Sequence, residues 1–139
     1  MERFGWSDER LAYALLRIVV GMNLMMHGVG RALAGPAAFS LKMGEQFAHT
    51  PLPSWSVHQF ALILPFIEGL LGTLLLVGLR TRAALIGASL LMAVLTFGAC
   101  LVQDWAAAGT QLMYALVLSA LLFLHRYDGW SVDALISRH

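Results

Sequence analysis

ALILPFIEGLLGTLLLVGL, residues 61–79, is a nearly unbroken apolar run with one acid, Glu68, at its centre. Its length decides the fold: about 20 residues at 1.5 Å each cross the ~30 Å hydrocarbon layer of a bilayer. Three more runs match it, giving expected spans at 11–33, 60–79, 83–102 and 108–125. In lipid a backbone satisfies its own polar groups only as a helix or a closed barrel, and runs of this length and pattern read as helices. The expectation is an all-α, four-helix transmembrane bundle formed by a single domain over residues 1–139.

Composition agrees. The chain is 59% hydrophobic and 12% charged, where soluble domains carry about 25% charged residues. A net charge of +1 with no Lys/Arg cluster argues against nucleic acid and for membrane lipid as the surroundings. Cys100 is the single cysteine, which excludes an internal disulfide, a C-x-x-C pair and a cysteine zinc site. Trp6, Trp55, Trp105 and Trp130 all fall at expected span boundaries, as interfacial tryptophans do.

The first run reads as a retained span and not a cleaved leader: Arg17, Asn23 and His27 interrupt it, and MERFGWSDER before it mixes acids with bases. Arg3, Arg10, Arg80, Arg82, Arg126 and Arg138 fall on one side of the bundle, Arg31 and Lys42 on the other. The excess places both termini in the cytoplasm of an inner-membrane protein. Between spans one and two, Phe39, Met43 and Phe47 recur every four residues after Pro36, predicting a short amphipathic external helix that lies on the membrane or lids the bundle. Ser54 or Ser56 is the expected cap of span two, and Ser131 that of a short helix after span four.

Glu68 needs a partner, because an ionised side chain at mid-membrane costs roughly 2.5–3.5 kcal/mol. Depth counted from the cytoplasmic ends puts Arg17 at about 9 Å, Glu68 at about 16 Å, Asn23 at about 18 Å and His27 at about 24 Å. An Arg17–Glu68 pair is therefore expected, with Pro65 kinking the helix nearby. Asn23 and His27 share a face at i, i+4, and Gln111 and Tyr114 stand near the outer end of span four. Ser89, Thr96 and Gln103 recur every seven residues on span three. Two readings stay open. In one, these groups are interhelical glue and the Arg17–Glu68 pair is structural. In the other, they line a pocket for a polar head group, with Glu68 as proton acceptor and Arg17, Asn23, His27, Gln111 and Tyr114 as ligand-binding residues. Neither metal nor haem is expected, since His27 and His125 sit at opposite membrane faces and His49 and His58 in the external loop. Gly21, Gly28, Gly69 and Gly72 read as close-approach positions between helices.

The pattern resembles the DoxX family of small four-helix membrane proteins. The resemblance rests on LLRIVVGMNLMMHGVGR at 15–31, LPFIEGLLGTLLLVGLRTRAAL at 64–85 and YDGWSVDAL at 127–135, through Arg17, Gly21, Gly28, Arg31, Glu68, Gly69, the turn Gly78, Leu79, Thr81, Arg82, and Ser131 with Asp133. Arg31 stands where the family often has lysine, and no Gly-Pro-Gly precedes Ser131. The resemblance implies a quinone-linked redox role, as in DoxD-type subunits of a thiosulfate:quinone oxidoreductase, or a chaperone and assembly role toward protein partners. The sequence carries no visible redox group, so a quinone as cofactor, a redox partner protein and a homo-oligomer are the corresponding expectations. A transporter would need oligomerisation to build its path.

Overall fold

The computed structural model describes residues 7–137; Arg3, Trp6 and Arg138 lie outside them. Six α-helices follow one another: α1 (Asp8–Ala34), α2 (Pro36–Gln46), α3 (Ser54–Val77), α4 (Thr81–Leu101), α5 (Trp105–Phe123) and α6 (Val132–Ile136), with a 3-10 turn at His125–Tyr127. No strand occurs among the described residues. Helices α1, α3, α4 and α5 are long and apolar enough to cross a membrane. The chain is thus an integral, multi-pass helical bundle, with α2 as the expected external helix, begun by Pro36 in its first turn.

The helix ends explain where the expected spans were short. α3 starts at Ser54, six residues before position 60, because its polar first turns lie beneath α2: Ser40 Oγ donates to His58 O (3.1 Å) and meets His58 Nδ1 at 3.0 Å. His58 therefore belongs to α3 and not to the loop. Neither serine caps α3. Pro53 is the N-cap, and Ser56 Oγ donates to its carbonyl at 2.7 Å. The helix runs through Pro65 without interruption. α5 begins at Trp105, where Asp104 accepts from Ala107 N at 3.0 Å.

α1 and α3 form the tightest seam. In a membrane, helices gain no hydrophobic drive from each other and associate through close van der Waals packing, which small residues permit. A Cβ at Gly21 would strike the backbone of Leu75 and Leu76, one at Gly28 that of Pro65 and Gly69, and one at Gly72 that of Met25. Gly69 contributes bare backbone, since its own Cβ would meet open space. The contacts define a steady antiparallel register in which 21 faces 76, 25 faces 72 and 28 faces 69 (each pair sums to 97). α1 thus extends about three turns beyond the end of α3, and the segment from His125 to Ile136 packs there. At the opposite end α3 extends beyond α1 and carries α2. α5 packs chiefly on α4 and meets α1 sparsely. The buried centre is Val20, Leu24, Leu64, Leu85, Met92 and Leu118 with their neighbours.

Candidate functional site

Glu68, the acid at the centre of α3, is buried, 2% exposed, and its partner is Arg31. Arg31 stands in the last turn of α1 with its side chain 30% exposed. Its Nη1 donates to Glu68 Oε2, and its Cζ lies 4.9 Å from the centre of the Phe39 ring. One guanidinium therefore ties α1 to α3 through charge and to α2 through a cation–π contact.

The expected Arg17–Glu68 pair does not form. The register puts Glu68 level with Val29 and Arg17 level with the α3–α4 turn. Arg17, 1% exposed, instead donates from Nη1 to Leu75 O and to Leu76 O (3.1 Å), and from Nη2 to Trp130 O (2.6 Å). Leu75 and Leu76 lie in the last turn of α3, whose carbonyls lack helical partners and carry the negative end of the helix dipole. Arg17 is a C-cap supplied by another helix. Gly78, left-handed at φ 72°, makes room for it: a Cβ there would come 2.7 Å from Arg17 Nη1.

A cavity of about 210 Å³ adjoins the Arg31–Glu68 pair, between α1, α4 and α5. Asn23, His27, Glu68, Gln111 and Tyr114 all line it, together with Arg31 and Thr110, while Leu24, Met92, Leu95 and Leu118 supply its apolar wall. Ser89, Thr96 and Gln103 are not in its lining; Ser89 Oγ donates back to Leu85 O at 2.8 Å. Tyr114 Oη donates to Asn23 Oδ1 at 2.9 Å, bridging α5 and α1 where those helices barely touch. His27 Nδ1 bonds Asn23 O at 2.9 Å. A carbonyl only accepts, so Nδ1 carries the proton and Nε2 is the ring's open nitrogen. Gln111 Oε1 is buried without a hydrogen-bond partner. A buried acceptor left unmatched costs about 1–3 kcal/mol, so this oxygen calls for a donor from whatever enters the cavity. Arg31 was legible as an intramembrane base on the same helix, but depth counting placed Arg17 nearer. No cluster of metal-holding residues occurs among the described residues.

A second polar network sits at the α6 end. Ser131 caps α6 as expected, accepting from Ala134 N at 3.1 Å. Asp133 caps α4, accepting from Arg80 N (2.8 Å) and Thr81 N (2.7 Å), while its own amide donates to Gly78 O (2.9 Å). Burial pushes the Asp133 carboxyl up, but the Thr81 and Arg80 amides outweigh it and hold the group below its ordinary 3.8. These contacts fasten the tail to the α3–α4 turn that Arg17 also grips, which gives the Ser-x-Asp and Gly-Leu-x-Thr-Arg elements a structural role.

No curated protein and no solved structure matches the chain. A family model does match, and it corrects the DoxX resemblance: it is that of a different membrane family, so the reading as a DoxD-type subunit falls. The motifs behind that resemblance are solutions to general problems of membrane helices. Glycines permit close approach, a buried acid meets an arginine, and a left-handed glycine closes a tight turn. The match runs from the first turn of α1 into α5 and includes Arg17, Asn23, His27, Arg31, Glu68 and Gln111. Over residues 9–112 it is the model for methylamine utilisation protein MauE, and the chain belongs to the MauE family.

Proposed function

We propose that this chain serves methylamine utilisation as a membrane-embedded accessory protein of a redox system, holding a lipid-soluble molecule with a neutral polar head beside Arg31 and Glu68. The observation that carries the reading is the cavity itself: it lies between helices long and apolar enough to cross a membrane, is walled by apolar side chains, and contains an unmatched acceptor, Gln111 Oε1. A quinone is the ligand class put forward. In its reduced form a head hydroxyl donates to Gln111 Oε1, and His27 Nε2 and Tyr114 Oη offer further contacts. Glu68 is the candidate proton acceptor that relays protons on to the quinone as it is reduced, with Arg31 compensating its charge, and a partner protein supplies the electrons. Both termini are assigned to the cytoplasmic side of an inner membrane. Arg10, Arg80, Arg82 and Arg126 support this, against Arg31 and Lys42 at the α2 end.

The second reading is an assembly factor that acts on a protein partner without a ligand. The family description supports an accessory role of either kind. In this reading the Arg31–Glu68 pair only fastens α1 to α3.

Mass spectrometry of organic extracts from protein purified in mild detergent separates the two. The wild type is expected to carry a quinone near one equivalent, and folded Glu68→Gln and Gln111→Leu variants to lose it. A folded, ligand-free wild type that retains a stoichiometric client protein would establish the assembly reading.

A further inference from the structure

A second, larger cavity of about 520 Å³ lies under α2, between α3, α4 and α5. It shares Arg31, Leu95, Ala107 and Gln111 with the smaller one, so the two are adjoining chambers with a common wall. Their linings differ. Residue for residue the smaller chamber is richer in hydrogen-bonding side chains, whereas most of the larger one's lining is rings and aliphatic side chains, Phe39, Phe47, Phe60 and Phe97 among them, with Lys42, Gln46, Ser56 and Asp104 as its own polar members. Phe47 sits over Gly98 of α4, where a Cβ would lie 3.3 Å from the ring. Val94 and Phe97 are 51% and 59% exposed on the outer face of α4, so the larger chamber opens sideways onto the surface that meets lipid.

The geometry points to a two-part occupant: an amphiphile whose neutral head fills the smaller chamber and whose single long apolar tail lies in the larger one, covered by α2, and leaves for the bilayer past Val94 and Phe97. This rests on the ligand reading above and names the ligand's shape. Glu68 neutralises Arg31, so the shared wall offers hydrogen bonds without net charge, and an anionic head would have to break that pair. Because the chambers adjoin at Arg31, Leu95, Ala107 and Gln111, the space under α2 is assigned to the tail of the bound molecule and not to a stray acyl chain. Lipid is as apolar as the chamber, so a tail gains little free energy of transfer by entering; what it gains is packing against the rings, and this fixes the orientation of the head.

The test is photolabelling of the purified full chain, in mild detergent, with a benzoquinone bearing a decyl tail that ends in a diazirine, with and without excess tail-free benzoquinone. Labels on Met43, Phe47 or Val102 that the tail-free quinone displaces would support the proposal. Gly98→Leu narrows the chamber and should lower that labelling about tenfold; Met43→Trp narrows it from the α2 side should Gly98→Leu not fold. Displaceable labels found only on outward residues such as Leu70 or Leu116 would overturn the tail chamber and leave the head site standing. Labelling that tail-free quinone never displaces would overturn both.

Discussion

Arg17 and Arg31 lie fourteen residues apart on α1, close to four helical turns, and so project from one face of the same helix. Their surroundings differ in kind. Arg17 is closed off, and its bonds run to the backbone carbonyls of Leu75, Leu76 and Trp130, which can neither titrate nor turn away. Arg31 is part-exposed, bonds a carboxylate, stacks on a ring of α2 and borders two cavities. A buried cation held by carbonyls fixes a fold. A cation held by an acid beside open space makes a place where a ligand or a proton changes the balance.

Arg17→Met is the severest way to break this contrast. It strips the donors from three carbonyls at the joint of α1, α3 and the tail, at about 1–3 kcal/mol for each one left buried and unmatched. Thermal unfolding in detergent should show a large fall in Tm or loss of folded protein. A loss no greater than that of Arg31→Met would erase the distinction between the two arginines.

The Arg31–Glu68 pair should respond unequally to its two halves. Arg31→Gln leaves a 3%-exposed carboxylate without its cation, at about 3 kcal/mol, the low end for a broken buried pair because the arginine side is part-exposed. Glu68→Gln should cost less, because the freed guanidinium, already 30% exposed, can turn outward. Tm values in that order, with the double Arg31→Met/Glu68→Met variant nearer the wild type than Arg31→Gln, would sharpen the comparison. The reverse order would place the pair's weight on the arginine.

That pairing also marks how far the sequence could be read. Span number, the Pro36 helix, the close glycines and the need of Glu68 for a partner were all legible, because composition and period control them. The partner was not. Depth counting assumed that α1 and α3 start level at one membrane face, whereas α1 overruns α3 by about three turns. The offset comes from where Gly21, Gly28 and Gly72 let the backbones touch, a property of two helices together. It moves Glu68 about seven residues along α1, roughly 10 Å, away from Arg17 and toward Arg31. Asn23, His27, Gln111 and Tyr114 escaped the error because they meet between α1 and α5, where the α1–α3 offset does not enter.

Asp133 is the anionic counterpart of Arg17 at the same joint, capping the start of α4 as Arg17 caps the end of α3. Asp133→Asn should cost about 1 kcal/mol near neutral pH. Because the folded carboxyl lies below its ordinary 3.8, its contribution is full above that value and is lost as pH falls through the folded one. The Tm difference between wild type and Asp133→Asn should therefore shrink in acid. A difference that grows in acid would mean that the carboxyl is destabilised by its burial.

The smallest effect is expected where α5 meets α1 beside the smaller cavity. Tyr114→Phe removes the bond to Asn23 Oδ1, the polar bridge between α1 and α5. Interhelical hydrogen bonds of this sort contribute about 0.6 kcal/mol in membranes, because the separated helices find other partners. Tm should barely move, and a cycle with Asn23→Ala should return a coupling of that size. Ligand exchange is another matter. α1 and α5 meet sparsely, so for the proposed ligand the bridge would latch a second way out, between α1 and α5, and its loss should speed release of a bound quinone more than it weakens the fold. If release is unchanged while Tm falls by several degrees, the Tyr114–Asn23 bond belongs with Arg17 among the fasteners of the bundle, and the cavity has its entrance elsewhere, at Val94 and Phe97.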